Sequence, residues 1–240
     1  MITSISSYHL AYVFPTLDSS RATFIASCLF NNLDYFNLIS ETAIAHFLSQ
    51  AGHESMGFKN TSENLNYSNN ALIAKFGRHR ISLEDAKKYG RSDKHAADQQ
   101  MIANKIYGGA WGQKNLGNDS DTSAADGWKF HGRGFIQLTG KSNYKAFSDF
   151  YKKTYNKDIN LIENPEILAT DLELALISAL WFFKERVLEK TNIEFATVEK
   201  VTSLVNGGNL GLEERRNYFN KARLAFSPNF LTDLISNSRV

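Results

Sequence analysis

The chain has 240 residues, of which 42% are hydrophobic, 22% are charged and 3 are proline; this excludes fibrous, collagen-like and disordered classes and calls for a packed fold. Its 27 basic and 25 acidic side chains nearly cancel to a formal charge of +2, so bulk electrostatics gives no argument for a nucleic-acid partner. The one cysteine, Cys28, lies in the apolar string FIASCLF, which excludes an intrachain disulfide, predicts a buried inert thiol and makes a reducing compartment the default place of synthesis.

Along the chain, helix punctuation recurs and alternating strand patterns do not, so a mainly α fold is expected in one domain over 1–240. Ahead of Arg21, the first basic residue, there is no charged segment preceding an apolar stretch, so no standard signal peptide is expected. Residues 19–31 and 41–53 read as helices, and in the second Ile44, Phe47, Leu48 and Ala51 form one apolar stripe that should face the core. Three shorter helices follow: NNALIAKF closing at Gly77, LEDAKKY capped by Ser82 and closing at Gly90, and HAADQQMIANKIY closing at Gly108 and Gly109. The segment WGQKNLGNDSDTSAADGW, 111–128, is rich in Gly, Asp, Asn and Ser and reads as a long surface loop. Beyond it come KSNYKAFSDFYKKTY, a helical turn opened by Asn164 and Pro165, and a long apolar helix to about Val187 with Thr170 and Glu173 at capping-box spacing. The apolar window LALISALWFF within that helix is far shorter than the roughly 20 residues of a membrane span, so it reads as buried and no membrane insertion is expected. The last two helices end at Asn206, Gly207 and Gly208 and cover LEERRNYFNKARLAF.

Two carboxylates stand out in GHESMGFKNTSENLNYS, residues 52–68. Glu54 closes the amphipathic helix, and Glu63 lies nine residues later in a loop, so their separation is set by the fold and not by one helix face. A paired acid and base of this kind is what glycoside hydrolysis needs. Read from the residues alone, the plain reading, a helix-end glutamate and a solvated loop glutamate, is the favoured one. His46 and His53 have neither an HExxH arrangement nor a third ligand nearby, so no metal is expected; His53 is better read as a hydrogen-bonding support for the loop after its helix.

The ordered set GHES, SENLNYS, GWKFHGRGFIQLTGKSNY (127–144), LVNGG (204–208) and LEERRNYF resembles glycoside hydrolase family 19, the chitinases and phage-type endolysins, from about residue 10 to about residue 226. The GRGFIQLTGKSNY segment is the most specific part and resembles the endolysin branch more than plant chitinases. The resemblance implies a lysozyme-like helical fold of two lobes, the smaller roughly 75–125, with a cleft between them and inverting hydrolysis of β-1,4-linked N-acetylated sugars without a cofactor. It assigns Glu54 as general acid and Glu63 as general base, with the acid expected in the drier environment and the base in the wetter one. Thr139 falls where the family places a hydroxyl that orients the attacking water. Gln137 and Asn143 match sugar-binding positions, and Asn206 matches an asparagine of the substrate cleft.

Each of these residues also has a plain structural reading. Thr139 can cap the following helix, Asn206 can serve helix C-cap chemistry, and Arg215, a candidate substrate-binding residue lining the cleft near the acid, can instead pair with a glutamate on a surface helix. Tyr67 and Trp128 can stack on sugar rings or simply pack in a core. Arg133, between two glycines, reads as an anchor for a tight backbone turn.

Plant-type cysteines are absent, and Leu210 stands near a position where chitinases often carry a supporting glutamate. Both departures favour a more open cleft and a peptidoglycan substrate over crystalline chitin. Peptidoglycan or a chitin-like polysaccharide is the expected partner of a monomeric enzyme, with an immunity or inhibitor protein if the domain serves as an interbacterial toxin. Such an enzyme is expected to wait in the cytoplasm and reach the cell wall through a holin-type lesion or a secretion apparatus.

Overall fold

A computed structural model describes residues 2–231. These form two compact units: the first comprises residues up to Thr61, Gly134–Ile136 and the chain from Asp171 onward, the second Ser62–Arg133 and Gln137–Thr170. The second unit contains the 75–125 stretch and extends to both sides of it. Among the described residues, strand pairing is confined to isolated bridges such as Ser62 with Arg133 and Arg133 with Leu138.

In chain order the first unit opens with α1 (Ser7–Val13), α2 (Ser19–Asn32) and α3 (Glu41–Glu54). Local chemistry accounts for their starts: Asp18 accepts from the backbone N–H groups of Ser20 and Arg21 at the head of α2, and Ser40 accepts from Ala43 N–H at the head of α3. Ile44, Phe47, Leu48 and Ala51 of α3 are all fully buried, as their spacing predicts. The short helix α1 has no counterpart among the predicted elements. Cys28 is half-buried, and partial burial with Glu173 and Asp171 nearby pushes its thiol up to about 12.

The second unit holds α4 (Asn69–Phe76), α5 (Leu83–Tyr89), α6 (Gln99–Tyr107), α7 (Gly109–Leu116), α8 (Asp126–Lys129), α9 (Lys141–Tyr155) and α10 (Ile167–Thr170). Ser68 and Ser82 cap α4 and α5. The third predicted helix begins four residues later than expected, at Gln99, because the Asp98 side chain accepts from Met101 N–H and takes the cap. The 111–128 segment is not one long surface loop: its first third completes α7, which ends at Gly117 in a left-handed conformation, and its end forms α8. Asn118 explains why so polar a stretch packs. Its buried side chain donates to Tyr107 O at 2.8 Å and accepts from Lys141 N–H at 2.9 Å, tying α6 to the start of α9.

The chain returns to the first unit with α11 (Leu172–Phe183), which continues through one π-turn at Lys184–Leu188, then α12 (Val198–Asn206) and α13 (Leu212–Ala225). Asp171, not Thr170, caps α11 by accepting from Glu173 and Leu174 N–H. Leu174 to Leu180 are all buried, in keeping with the apolar run, and α3 packs against α11, α12 and α13. No helix among the described residues is long and apolar enough to cross a membrane.

Each unit buries a neutral histidine. His46 of α3 is fully buried, with Nε2 3.1 Å from Ala196 O and, among the described residues, no partner for Nδ1; burial holds it down at about 4. His131 is likewise held at about 4 by burial and by Arg133. Because the unfolded chain binds protons to both imidazoles below about 6.5 while the folded chain does not, their contribution is fully present above that pH and is lost as pH falls toward 4. Glu63, raised by burial, works in the opposite direction as a single group. Denaturant unfolding is therefore expected to show a net loss of stability of a few kcal/mol between pH 7 and pH 4.5, and His46→Gln should flatten that slope; a slope that is unchanged in the variant contradicts the reading.

Candidate active site

The first unit builds its carboxylate site at the end of α3. Glu54 is the last helical residue, and the chain then turns through three successive left-handed residues, Met56, Gly57 and Phe58, with φ of 54°, 74° and 61°. Such backbone persists only where the surroundings over-determine it. Here Ser55 Oγ donates to Ala51 O at 2.6 Å and accepts from Phe58 N–H at 2.9 Å, while the buried Phe58 ring meets Phe14 and Phe135 edge-on. The helix end that carries Glu54 is thereby held rigidly.

Arg215 of α13 is 1% exposed and is not a surface helix residue. Its guanidinium donates to Glu54 Oε1 through Nη2, to Gln50 Oε1 at 2.6 Å through Nη1 and to Leu210 O at 3.1 Å through Nε. Gln50 also donates to Thr202 Oγ1 at 3.3 Å. One residue away on each helix, His53 Nδ1 lies 2.5 Å from Glu214 Oε2, so that histidine is tied to α13 and not to the loop after its own helix. Gly211 is required beneath this pair: its φ is +71°, and an added Cβ would come 2.1 Å from His53 Cε1. Asn206 ends α12 and braces the same turn, donating to Leu210 O at 3.3 Å and accepting from Gly208 N–H at 2.8 Å. Glu54, Arg215 and Asn206 thus share one network in this unit.

The second unit gathers Glu63, Gln137, Thr139 and Asn143 around a strap made of residues 128–133 and 137–140. Glu63 N–H donates to Gly132 O at 2.9 Å, and Gly132 N–H returns to Glu63 Oε2 at 3.3 Å. An added Cβ on Gly132 would lie 3.2 Å from Glu63 Oε2 and 3.1 Å from Gln137 Oε1, so both side chains rest on that glycine. Gln137 is left-handed at φ 55°, and its carbonyl accepts from Thr139 Oγ1 at 2.8 Å. Thr139 does not cap α9: the N-cap is Gly140, which makes no side-chain bond. With its proton directed to Gln137 O, the Thr139 hydroxyl keeps its lone pairs for an incoming donor. Asn143 donates to Thr139 O at 2.7 Å. Arg133 anchors the strap, its Nη1 donating to Lys129 O at 2.7 Å and to Tyr144 Oη at 3.0 Å, while Tyr144 donates to His131 O at 2.7 Å.

Glu63 does not sit in the wetter environment expected for it. Burial raises its carboxyl above the usual range, and this is opposed in part by Tyr107, whose hydroxyl reaches Oε1 at 2.7 Å and Oε2 at 2.9 Å, by Gly132 N–H and by the charges of Lys75 and Arg80. Tyr67 lies half-buried in the same unit, edge-on to Phe76 at 5.5 Å and with Lys75 Nζ 4.6 Å over its ring. Trp128 is also half-buried and packs on His131 at 4.5 Å.

Tyr107, Arg80, Gln50 and Glu214 were not among the sequence candidates. Gln50 carried no signal: with His46 and Ser49 it lies on the face of α3 opposite the stripe of Ile44, Phe47, Leu48 and Ala51, which reads as solvent-facing in the sequence but is buried. Tyr107 carried none, since it follows Ile102, Ala103 and Ile106 in helical register and reads as core. Among the described residues, no group of three or more His, Cys, Asp and Glu side chains could hold a metal ion.

Residues 108–203 match the family model described as chitinase class I. Over 171 residues, 71% of this chain and 74% of its relative, the sequence is 42% identical to a glycosyl hydrolase family 19 domain-containing protein of Haemophilus influenzae. A shorter stretch of 54 residues, 22% of this chain and 19% of the other, is 43% identical to the acidic endochitinase of Petunia hybrida. The fold is similar to that of chitinase C from Streptomyces griseus, with a TM-score of 0.55 and 18% identity over 92% of each chain.

Replacing a buried guanidinium that holds three acceptors takes that donor from Glu54 Oε1 and Gln50 Oε1 and leaves Leu210 O with Asn206 alone. Arg215→Met should cost about 3 kcal/mol of stability, read as a lower denaturant midpoint at unchanged slope; a midpoint within error of wild type would show that the network contributes nothing.

Proposed function

The chain belongs to glycoside hydrolase family 19, and from that premise we propose an inverting glycosidase that hydrolyses the β-1,4 bonds of peptidoglycan glycan strands. The observation that supports it most is that two candidate carboxylates, Glu54 in the first unit and Glu63 in the second, are each anchored by buried partners. In this reading Glu54 protonates the glycosidic oxygen, and Glu63 takes a proton from the water that attacks the anomeric carbon from the opposite face. Thr139 steadies that water, and Gln137, Asn143, Tyr67 and Asn206 contact the sugar.

The environments supply a rationale for these roles. A carboxylate raised by burial is a stronger base, provided it remains ionised at the working pH, and the Tyr107 and Gly132 donors with the Lys75 and Arg80 charges favour the ionised form. Arg215 faces Glu54 with a fixed positive charge that complements the carboxylate left when its proton is transferred.

Peptidoglycan is favoured by the GRGFIQLTGKSNY segment and by the absence of loop-bracing cysteines. A chitinase acting through the same residues is the second reading, favoured by the chitinase names of the matched proteins. In either reading the enzyme is synthesised in the cytoplasm and reaches its polymer by a holin-type lesion or a secretion apparatus.

Purified peptidoglycan and chitin oligomers offered side by side, with products identified by mass spectrometry, separate the two substrates; release of chitin fragments alone rejects the cell-wall reading. Glu54→Gln and Glu63→Gln should each lower kcat by about 10²- to 10⁴-fold on the natural polymer. On an aryl oligosaccharide whose leaving group needs no protonation, Glu54→Gln should recover much of its activity and Glu63→Gln should not. The reverse pattern would exchange the two roles.

A further inference from the structure

A base withdrawn from bulk water needs its orientation fixed by the protein, and Tyr107 is built to fix it. The tyrosine is the last residue of α6, and its ring belongs to a core cluster with Leu65, Leu72, Phe76, Ile102 and Ile106, so the hydroxyl has little freedom to swing away. That hydroxyl carries one proton yet stands at nearly equal distances from the two oxygens of Glu63, 2.7 and 2.9 Å, bridging the carboxylate. The Gly132 N–H reaches only Oε2, at 3.3 Å. Among the described residues, Oε1 therefore accepts from Tyr107 alone and keeps spare lone-pair capacity.

Beside this clasp lies a caged cation. The Arg80 guanidinium stands 3.8 Å over the Trp111 ring, 4.9 Å from the centre of Phe76 and 5.4 Å from that of Tyr107, and its Nε donates to Ile106 O at 2.8 Å. Aromatic faces and a backbone carbonyl hold the charge in place. It acts on both Tyr107 and Glu63 through space.

We propose that Tyr107 is a positioning residue for Glu63, clasping its carboxylate so that Oε1 is presented to the attacking water, with Arg80 caged beside this clasp as a fixed positive charge. The proposal rests on Glu63 being the base. Of the groups that face Glu63, Lys75 of α4, Arg80, Tyr107 of α6 and the Gly132 N–H favour the charged carboxylate, burial disfavours it, and Tyr144 of α9 senses its charge. Removing the Tyr107 hydroxyl or the Arg80 charge should raise the pH at which Glu63 loses its proton, and activity that needs an ionised base should then fail at higher pH.

The test is the pH dependence of kcat/KM on chitin hexamer and on a peptidoglycan suspension, for wild type, Tyr107→Phe, Arg80→Met and Arg80→Lys, with Glu63→Gln as control. Tyr107→Phe is expected to lower kcat roughly 10-fold with KM little changed and to move the acid limb up by about one pH unit. Arg80→Met should move the same limb in the same direction, and Arg80→Lys should restore it. Folded variants, with wild-type circular dichroism and cooperative melting, whose acid limb stays in place would overturn the proposal. If Tyr107→Phe does not fold, the contrast between Arg80→Met and Arg80→Lys decides alone. A Glu63→Gln variant that stays active removes the base assignment and this proposal with it, whereas an inactive one beside unmoved acid limbs removes the proposal only.

Discussion

A guanidinium that is 1% exposed must direct its N–H groups to protein acceptors, and the first unit is arranged around that constraint at Arg215. The acceptors come from Gln50 and Glu54, one turn apart on α3, and from the carbonyl of Leu210 just before α13. Because these points are fixed together, the rotation of α13 against α3 is fixed as well. The neighbouring pair His53 and Glu214 falls into register as a consequence. The three left-handed residues after Glu54 then make sense as a turn held from both sides, by the Ser55 hydroxyl and by the packed ring of Phe58.

The second unit meets a different demand. A carboxylate taken largely out of water is pushed toward its neutral form, and a base is useful only while ionised. The chain answers with donors and cations supplied by separate elements: Tyr107 at the end of α6, the Gly132 backbone in the strap, Lys75 in α4 and Arg80 just beyond it. The strap is in turn pinned to α9 through Arg133, Tyr144 and His131. Burial that would disable an isolated glutamate here comes with the means to keep it charged.

Much of the helical skeleton was legible because its signals are local. Ser40, Ser68 and Ser82 cap their helices through hydrogen bonds three residues away, and the glycines at 77 and 207 end helices at positive φ. Where two cap candidates compete, as at Thr170 and Asp171 or across 95–98, the nearer neighbours on the sequence do not decide between them. The 111–128 stretch misled for a related reason: Asn, Asp and Gly suit exposed turns, yet Asn118 uses its amide to join two helices distant in sequence. The glutamates and the threonine were legible as a motif, while their surroundings were not: Glu63, expected in water, is pushed up by burial.

By itself the sequence determined the mainly α character, most helix boundaries, the apolar stripe of α3 and the identity of the residues that match the family, but not that α3 is buried on every side from Ala43 to Gly52. These follow from spacing, capping and side-chain chemistry within a few residues of each position. Only the tertiary structure decided that Arg215 is a buried partner of Glu54, that Tyr107 turns its hydroxyl to Glu63, and that burial acts on Glu63. Burial and long-range hydrogen bonds depend on which helices meet, and a guanidinium or a phenol reads the same in sequence whether its partner is water or a carboxylate 40 or 160 residues away.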